Sequence, residues 1–382
     1  MTVERANIAT SIVEAEAWLC ELPARTLRVD ATQTFSVQET LFARLTTADS
    51  LVGTGYAYTI GTGGRGALAH LEHDLLPQLV GRDARLTEAI WCDLERSTHA
   101  TTVGVFTSLA LAAIDIALWD LRCKRAREPL WVIAGGSKAA VRLYETEGGW
   151  LQLSVDELVD GARRALDRGF AGVKIKVGHP DAAEDVRRIA AVREAIGPSA
   201  YLMVDANQSL TFADALRRAS LFAPYDLFWF EEPLPADDVE GHAALAARAS
   251  MPIAVGESLY SLTQFGEYLT RRATSVVQVD AARIGGITPW LKVAHLAEAF
   301  NAIVAPHFLM ELHVSLACAV TGAPLVEHIP QLSMVTTSAL EVDEGWARAP
   351  SSVGIGIDWD EQQLRAHRID VSPDTDSSSE RT

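Results

Sequence analysis

Residues 172–178 read GVKIKVG, and this stretch decides how the rest of the chain is interpreted. Alternate side chains of a strand point to opposite faces, so Lys174 and Lys176 share one face and the apolar residues between them take the other. A strand covered on both faces cannot bury two ammonium groups unless they meet anionic partners or lose a proton. The remaining sequence must show which of these applies.

Short β-branched or aromatic runs alternate with amphipathic helical stretches from residue 141 onward. The eight runs are VRLYET, GVKIKV, AYLMVDA, LFWFEEP, PIAVGES, SVVQVDA, AIVAPH and PLVEH. Regular alternation indicates βαβ units, and eight of them predict a closed parallel barrel of the TIM type. We assign residues 136–338 to an α/β barrel of seven or eight units, in which the last helix is weak or replaced.

The residues before the barrel follow a different pattern. Residues 10–60 read as a small β-meander, and residues 66–127 are helical, with apolar residues recurring at three- and four-residue steps. This segregation predicts an α+β capping domain over residues 1–135. We expect residues 339–370 to return and pack on that domain, and the polar residues 371–382 to be a disordered tail.

The composition is that of a globular protein, with 48% hydrophobic and 22% charged residues in a chain of 382. A net charge of −17 argues against non-specific nucleic-acid binding, which needs a basic surface. No apolar run approaches the ~18 residues of a membrane span, and the N-terminus lacks a signal-peptide pattern. The four cysteines form no CxxC pair, which favours reduced thiols. We expect a cytoplasmic protein that does not bind membranes.

Acidic residues end three consecutive predicted strands. Asp205, Glu231 and Glu257 follow one another at intervals of 26 residues, the length of one βα unit. In a barrel these positions face the same mouth. Single acids there often only cap the next helix, but three in succession repel one another unless a cation lies among them. An all-oxygen ligand set predicts one Mg²⁺ ion per active site.

Two further predicted strands, neighbours in the barrel, end at Asp280 and His307. A carboxylate on one imidazole nitrogen sets the tautomer and raises the basicity of the other, so the pair predicts a base dyad. Lys176, beside a second cation, can have a lowered pKa and act as an opposing base, while Lys174 polarises a substrate carboxylate. Proton removal α to that carboxylate builds an enediolate, which a divalent cation and hydrogen-bond donors stabilise.

The ordered set of motifs resembles the enolase superfamily, and within it the mandelate racemase group. The motifs are AAIDIALWDLRCKRAREPLWVIAGG, KIK, VDANQ, FEEP, GES, VDAARIGGIT, APHFLMELH and VEH, and they cover nearly the whole chain. In that superfamily a Lys or His base works with a metal-stabilised enediolate. The resemblance implies that the three acids bind Mg²⁺, that Lys176 is one base and that the Asp280–His307 dyad is the other.

The resemblance also implies roles for residues beside the bases. Lys174 and Glu327 would contact the substrate carboxylate, with Glu327 as a hydrogen-bond donor to the enediolate. Asn207 would lie near the metal or the substrate. By contrast, His313 and His328 are interpreted as structural.

Within the group, the stretches IGGITPWLKVAHLAEAF and APHFLMELHVSLACA look most like sugar-diacid dehydratases of the talarate and galactarate type. The chain departs from them in two places. The stretch YAYTIGTGG lacks an expected basic residue, and TEGG places Glu147 where a small hydroxyl residue is typical. A further carboxylate disfavours a diacid. We therefore place Glu147 among the substrate-binding residues, either compensated by Arg25, Arg28 or Arg65, or facing a cationic or polyhydroxyl end.

Three hypotheses of function remain at this point. The first is a Mg²⁺-dependent dehydratase of a sugar acid, aldarate or aldonate, that yields a 2-keto-3-deoxy acid. The second is a racemase or epimerase that uses the same two bases on a carboxylate substrate without elimination. The third is a non-catalytic barrel that binds a metal or an acidic ligand, and the joint presence of lysines, dyad and Glu327 argues against it. A small-molecule carboxylate is the expected partner, and the resemblance implies a homo-oligomer.

Overall fold

An antiparallel sheet of three strands forms the first part of the chain in the computed structural model, which describes residues 8–370. Its strands are β1 (Ile12–Val29), β2 (Thr34–Thr47) and β3 (Val52–Thr59). β2 lies between the other two, and its pairing with β1 is irregular between Pro23 and Arg28. This sheet corresponds to the meander predicted for residues 10–60, whereas the predicted tail 371–382 lies outside the described residues.

Helices pack on one face of this sheet. They are α1 (Gly64–His70), α2 (Thr87–Ser97), α3 (Val105–Ala126) and the single turn α4 (Leu130–Ile133), with 3₁₀ turns at Ile8–Thr10 and Leu76–Gln78 and a π-helical turn at Leu71–Leu75. Helix α3 is buried over most of its length because it contacts both the sheet and the barrel. Gly55 allows this approach, since a Cβ there would lie 2.2 Å from the carbonyl oxygen of Ala113.

Eight parallel strands follow and form the predicted TIM-type barrel. They are β4 (Ala140–Glu145), β5 (Gly172–Lys176), β6 (Tyr201–Asp205), β7 (Trp229–Glu231), β8 (Ile253–Val255), β9 (Val276–Val277), β10 (Ile303–Val304) and β11 (Leu325–His328). Each strand from β4 to β10 pairs with the next, and β11 pairs with β4. Within residues 8–370 no strand pairing joins β10 to β11, but the Val304 N–H donates to the Gly322 carbonyl at 2.9 Å.

The barrel helices lie between these strands. They are α5 (Val155–Asp167), α6 (Ala182–Ile196), α7 (Phe212–Phe222), α8 (Val239–Ala246), α9 (Leu262–Thr270), α10 (Ile287–Ala299) and α11 (Met310–Ala319), with a 3₁₀ turn at Ala223–Tyr225. Five of them, α5 to α9, begin after a Ser, Thr or Asp whose side chain accepts a hydrogen bond from a first-turn N–H. The sequence therefore sets the start of most barrel helices locally.

Helix α10 is capped by a residue of the N-terminal region instead. Asp115 of α3 accepts hydrogen bonds from the backbone N–H of Thr288 at 2.8 Å and from its hydroxyl at 2.6 Å. Trp119, one turn further along α3, donates to the same hydroxyl at 2.9 Å. This contact joins the two parts of the chain next to the segment that carries Asp280.

The segment 339–370 contacts both parts of the chain. Strands β12 (Val342–Asp343) and β13 (Trp346–Arg348) extend the barrel sheet antiparallel to the start of β4. Helix α12 (Glu361–His367) then packs on β1, and the Ile369 N–H donates to the Leu19 carbonyl at 2.9 Å. Residues 361–369 thus contact the first sheet, whereas residues 342–348 extend the barrel sheet.

Apolar side chains fill the barrel interior below the C-terminal ends of its strands. The interior cluster consists of Tyr144, Met203, Trp229, Ala254, Val276, Ala305 and Leu325. A larger core runs from the first sheet through α3 and around the outside of the barrel. The polar ends of the strands therefore rest on a packed layer.

Two expectations from composition bear on the described residues. The four cysteines are free thiols, as the sequence predicts. None of the helices within residues 8–370 has the length and apolar character needed to cross a membrane.

Replacement of Gly55 by Ala should destabilise the fold by about 1–3 kcal/mol, because the new methyl group collides with backbone atoms of α3 that cannot move independently. Chemical denaturation of the purified protein measures this loss. Gly322→Ala is the matched control, since a Cβ there meets no atom within 4 Å. Equal stability of the two variants would contradict the close packing of β3 on α3.

Candidate active site

Three carboxylates converge at the C-terminal mouth of the barrel. Asp205 and Glu231 are the last residues of β6 and β7 and are paired in the strand register, while Glu257 follows β8 by two residues. All three are buried, and one oxygen of each lies within 4.8 Å of the others. The structure thus brings together the three acids singled out in the sequence.

Lys174 and Lys176 point from β5 into this group of acids. The Lys174 ammonium lies 2.7 Å from Glu231 Oε1 and 2.9 Å from Glu327 Oε1, and the Lys176 ammonium contacts Asp205. Both lysines are buried. The two lysines of β5 are therefore buried as ammonium groups paired with carboxylates, and not as neutral amines.

The pKa of Lys176 contradicts the predicted lowering. Burial favours the neutral amine and Lys174 repels the charge, but the attraction of Asp205 is strong enough to raise the pKa of Lys176 above its usual value. Burial likewise opposes the charge of Lys174, yet Glu231 and Glu327 hold its pKa well above the usual value. These shifts describe the lysines paired with the acids alone, and a divalent cation bound by Asp205 would compete with Lys176 for that carboxylate and weaken the attraction that raises its pKa.

Asp280 and His307 form the expected pair, in loops three residues beyond the ends of β9 and β10 rather than at the strand ends themselves. His307 Nδ1 lies 3.0 Å from Asp280 Oδ2, and Nε2 lies 3.1 Å from Glu257 Oε2. Burial lowers the pKa of His307, but Glu257 and Asp280 outweigh it, and the pKa is raised. The imidazole therefore lies between the dyad acid and the group of three acids.

Tyr58 of β3 reaches into the same pair from the capping side. Its hydroxyl donates to Asp280 Oδ2 at 2.6 Å, and its ring stacks on Phe308 with centroids 4.5 Å apart. Burial raises the pKa of Tyr58 well above its usual value, so the phenol stays protonated and remains a donor. Asp280 thus receives hydrogen bonds from two parts of the fold.

His313 holds the loops that carry the dyad. Its Nε2 accepts from the Ala281 N–H at 3.1 Å, and its Nδ1 donates to the Phe308 carbonyl at 3.0 Å. Burial lowers the pKa of His313 to about 4, so the ring is neutral, as these two hydrogen bonds require. The structural interpretation of His313 agrees with this geometry, and His328 lies apart, 2.8 Å from Glu145.

Glu327 accepts hydrogen bonds where the resemblance implied a donor. Thr146 Oγ1 donates to its Oε1 at 2.8 Å and the Phe308 N–H donates to its Oε2 at 2.9 Å. Burial raises the pKa of Glu327, but the attraction of Lys174 and His307 outweighs burial and leaves the pKa below its usual range. Glu327 is therefore an ionised partner of Lys174 in this arrangement.

Glu147 does not face the centre of the site as the sequence analysis expected. It forms an ion pair with Arg28, and Trp150 Nε1 donates to its Oε2 at 3.2 Å. Of the three arginines considered as compensating charges, Arg28 is the one that reaches Glu147. Arg25 donates instead to Ser333, at 2.8 Å. The extra carboxylate is thus neutralised away from the cavity.

A cavity lies between the barrel mouth and the capping domain. Five of the expected residues line it, namely Lys176, Asn207, Glu257, His307 and Glu327. Lys174, Asp205, Glu231 and Asp280 lie beneath this layer. The cavity encloses about 40 Å³, which is less than the several hundred that pockets for small molecules usually hold.

A larger cleft of about 570 Å³ opens at the opposite end of the barrel, beside the start of β6 and of β9. Its lining includes two ionisable side chains, Tyr201 and Asp226, and no lysine, arginine or histidine. The chemistry of the chain is therefore concentrated at the small cavity.

The donor set at that cavity fits a hard divalent cation. Asp205, Glu231 and Glu257 offer carboxylate oxygens only, which is the ligand type that Mg²⁺ takes. The side-chain oxygen of Asn207 is buried and has no hydrogen-bond partner among the described residues. An unpaired buried acceptor at this place indicates a cationic or donor ligand from outside the chain.

Two family profiles match the chain. Residues 9–135 match "Mandelate racemase / muconate lactonizing enzyme, N-terminal domain", and residues 157–363 match "Enolase C-terminal domain-like". The chain belongs to the mandelate racemase/muconate lactonizing enzyme family. Its TIM-type fold with a capping domain and its place among enolase-superfamily enzymes follow from this membership, as the sequence resemblance predicted.

Relatives in the mandelate racemase family are named for several different activities. L-talarate/galactarate dehydratase of Salmonella typhimurium is 37% identical over 325 residues, which cover 85% of this chain and 81% of that protein. The 3,6-anhydro-alpha-L-galactonate cycloisomerase of Streptomyces coelicolor is 36% identical over 348 residues, which cover 91% and 96% of the two chains. Membership of this family therefore shows that the chain is an enzyme. Which of these reactions it catalyses must be argued separately.

A solved structure of the Salmonella typhimurium dehydratase, liganded with Mg and L-lyxarohydroxamate, superimposes with a TM-score of 0.90 at 34% identity. The match covers 97% of this chain and 96% of that one. Together with the three converging acids, this identifies Mg²⁺ as the cofactor.

Sequence reasoning missed the residues that the cap adds to this family site. Tyr58, Asp30, Gln33, Phe35 and Ile60 all line the cavity from the capping side. Tyr58 lies within the stretch YAYTIGTGG, for which the sequence analysis noted only that an expected basic residue is missing. No local pattern marks Tyr58, because its hydrogen bond to Asp280 spans 222 positions of the chain.

Glu257→Gln should weaken Mg²⁺ binding at least about tenfold, since the amide removes one of three anionic ligands. Titration calorimetry of the purified protein with Mg²⁺ measures the change. Glu232→Gln is the matched control, because Glu232 is a buried acid next to Glu231 in the chain but outside the group of three, and burial raises its pKa well above the usual value. Equal weakening by both variants would argue against the three-acid site.

Proposed function

We propose that this chain is a Mg²⁺-dependent dehydratase of a sugar acid, aldarate or aldonate, and that it produces a 2-keto-3-deoxy acid. The observation that carries the proposal is the presence of two separate bases at one cavity. Lys176 comes from the second barrel strand and His307 from the loop after the seventh, and both line the cavity beside Glu257. One base can take a proton while the other returns a proton to a leaving group.

The proposed reaction assigns each group a task. Lys176 or His307 Nε2 takes the proton α to the carboxylate, and the C–O bond to the β-hydroxyl breaks with the electron pair. The imidazolium of His307 gives its proton to the departing oxygen, so water leaves and the resulting enol becomes the 2-keto acid. When bound, Mg²⁺ supplies Lewis-acid stabilisation of the charge that develops on the substrate carboxylate.

The residues beneath the cavity would hold these groups in place. Asp280, with hydrogen bonds to His307 and Tyr58, fixes the imidazole with Nε2 turned towards the cavity. Lys174 is held by Glu231 and Glu327 and adds positive charge beside the substrate carboxylate. Asn207, whose oxygen lacks a partner within the described part of the chain, is placed to accept from a substrate hydroxyl or to meet the metal.

A racemase or epimerase is the second candidate, and the same pair of bases favours it. If one base removes the α-proton and the other delivers a proton to the opposite face, the configuration changes and no water is lost. The names of similar proteins support both types of reaction, since they include a dehydratase and, among the solved structures, a protein of Streptomyces coelicolor described as a racemase. Assembly into a homo-oligomer and a location in the cytoplasm remain predictions from the sequence.

One experiment separates these activities. The protein is incubated with Mg²⁺ in D₂O against a panel of aldonic, uronic and aldaric acids, followed by NMR and by a semicarbazide assay for 2-keto acids. A keto-deoxy product is the expected result. Deuterium at the α-carbon without loss of water would replace the dehydratase by the epimerase, and no exchange with any acid would favour a non-catalytic binding barrel.

Lys176→Ala and His307→Asn should each reduce turnover by a factor of about 10² to 10⁴, the usual contribution of a positioned acid or base. Mg²⁺ binding should survive in both variants, because neither side chain is one of the three acids. Steady-state kinetics on the substrate found above, with calorimetry for the metal, tests this. Full activity in either variant would refute the two-base assignment.

Tyr58→Phe should slow proton transfer by His307 about three- to tenfold and leave transfer by Lys176 unchanged, because the hydroxyl that is lost contacts Asp280 and His307 Nδ1 but not Lys176. Deuterium exchange rates of substrates epimeric at the α-carbon distinguish the two faces. Tyr56→Phe is the control, since the Tyr56 hydroxyl is buried without a partner among residues 8–370. Equal slowing at both faces would show that Tyr58 acts only on the fold.

A further inference from the structure

The capping side of the cavity carries a single ionisable carboxylate and no cation. Of the lining residues that the cap supplies, Asp30 is the charged one, and the others are Gln33, Phe35, Tyr58 and Ile60. The cations that line the cavity, Lys176, Arg283 and His307, all belong to the barrel. Positive charge is therefore present only at the end where the metal ligands lie.

Each of those barrel cations already faces an acid of the site. Lys176 contacts Asp205, His307 lies between Asp280 and Glu257, and Arg283 Nη1 lies 3.7 Å from Glu257 Oε1. None is placed to serve a carboxylate at the far end of a ligand as well.

Arg28 is the cap cation nearest to this end, and it stands behind the cavity wall. Its guanidinium is paired with Glu147 and is only 1% exposed. The rings of Phe35, Trp150 and Phe308, all of which line the cavity, lie 5.7 to 5.9 Å from it. These rings separate the Arg28 charge from the cavity, and Glu147 neutralises it.

Asp30 is held with one oxygen turned to its own loop. Oδ1 accepts from the Thr32 N–H at 2.7 Å, the Thr32 hydroxyl at 2.8 Å and the Gln33 N–H at 2.9 Å. All of these hydrogen bonds go to Oδ1, and no lysine or arginine within the described ranges forms an ion pair with Asp30. An unpaired carboxylate in this position accepts hydrogen bonds from hydroxyl groups and repels a second carboxylate.

We propose that the cavity takes a monocarboxylate with a neutral, hydroxylated far end, of the aldonate or anhydro-aldonate class, and discriminates against the aldarate of the same configuration. This inference rests on the proposed function, because it assumes that the carboxylate at the barrel end is the one that reacts. It narrows the substrate from both classes of sugar acid to one. The relatives include proteins named for each class, so their names alone do not make this choice.

The test compares matched pairs of acids, gluconate with glucarate and galactonate with galactarate, on the Mg²⁺-loaded protein. Calorimetry measures binding, and the 2-keto acid assay measures kcat/KM. We expect the monocarboxylate of at least one pair to bind at least about tenfold more tightly than its partner. A tenfold preference for a dicarboxylate, or no binding of any member of the panel, would overturn the proposal.

Asp30→Asn is the decisive variant, because the amide oxygen can keep the hydrogen bonds of the turn while the charge is lost. It should reduce the preference for the monocarboxylate at least about fivefold by admitting the dicarboxylate. Asp156→Asn, which removes an exposed charge in α5, should leave the preference unchanged. An unaltered preference in Asp30→Asn would refute the role of Asp30.

Measurements of binding and of turnover test the proposed selectivity and the proposed reaction separately. If the monocarboxylates bind with the expected preference but no acid exchanges its α-proton, the proposed reaction fails and the selectivity stands. If dicarboxylates are dehydrated faster than their partners, the reaction stands and the selectivity fails.

Discussion

The balance of charge inside the barrel mouth is the constraint on which the rest of this structure depends. Two ammonium groups are removed from water on β5, and each must meet a carboxylate from another strand at close range. Asp205, Glu231 and Glu327 provide these contacts. Two of these acids, Asp205 and Glu231, also belong to the group of three that can hold a divalent cation. Metal binding and the state of the lysines are therefore coupled by shared oxygens rather than by separate sites.

The second base depends on contacts that cross the fold. Asp280 and His307 lie in loops beyond the ends of their strands. Neutral His313 joins the residues that follow them, Tyr58 adds a hydrogen bond from the first sheet, and Asp115 caps the helix that begins after Asp280. The capping domain thus does more than cover the barrel, because it takes part in orienting a proton-transfer group.

The proposed selectivity rests on the lack of positive charge on the capping side of the cavity. A site for a diacid needs positive charge at both ends of its cavity, and here the cap offers Asp30, a glutamine and apolar side chains. Arg28, the cap arginine buried behind the cavity wall, is already neutralised by Glu147. From the sequence, Glu147 was expected to face the substrate. In the structure it forms an internal ion pair with Arg28 instead. The Arg28 charge is therefore not available to the cavity.

The sequence by itself determined the barrel, the three acids, the paired lysines and the Asp280–His307 dyad, because strand alternation and the spacing of βα units place such residues at one mouth whatever the details of packing. The tertiary structure alone decided the protonation and the partners of these groups. Lys176 keeps a raised pKa because Asp205 lies against it, Glu327 accepts because Lys174 and a backbone N–H point at it, and Glu147 meets Arg28. Tyr58 and Asp30 joined the site only through folding. Electrostatic and hydrogen-bond effects depend on distances of a few ångströms between residues far apart in the chain, and no periodic pattern in the sequence encodes those distances.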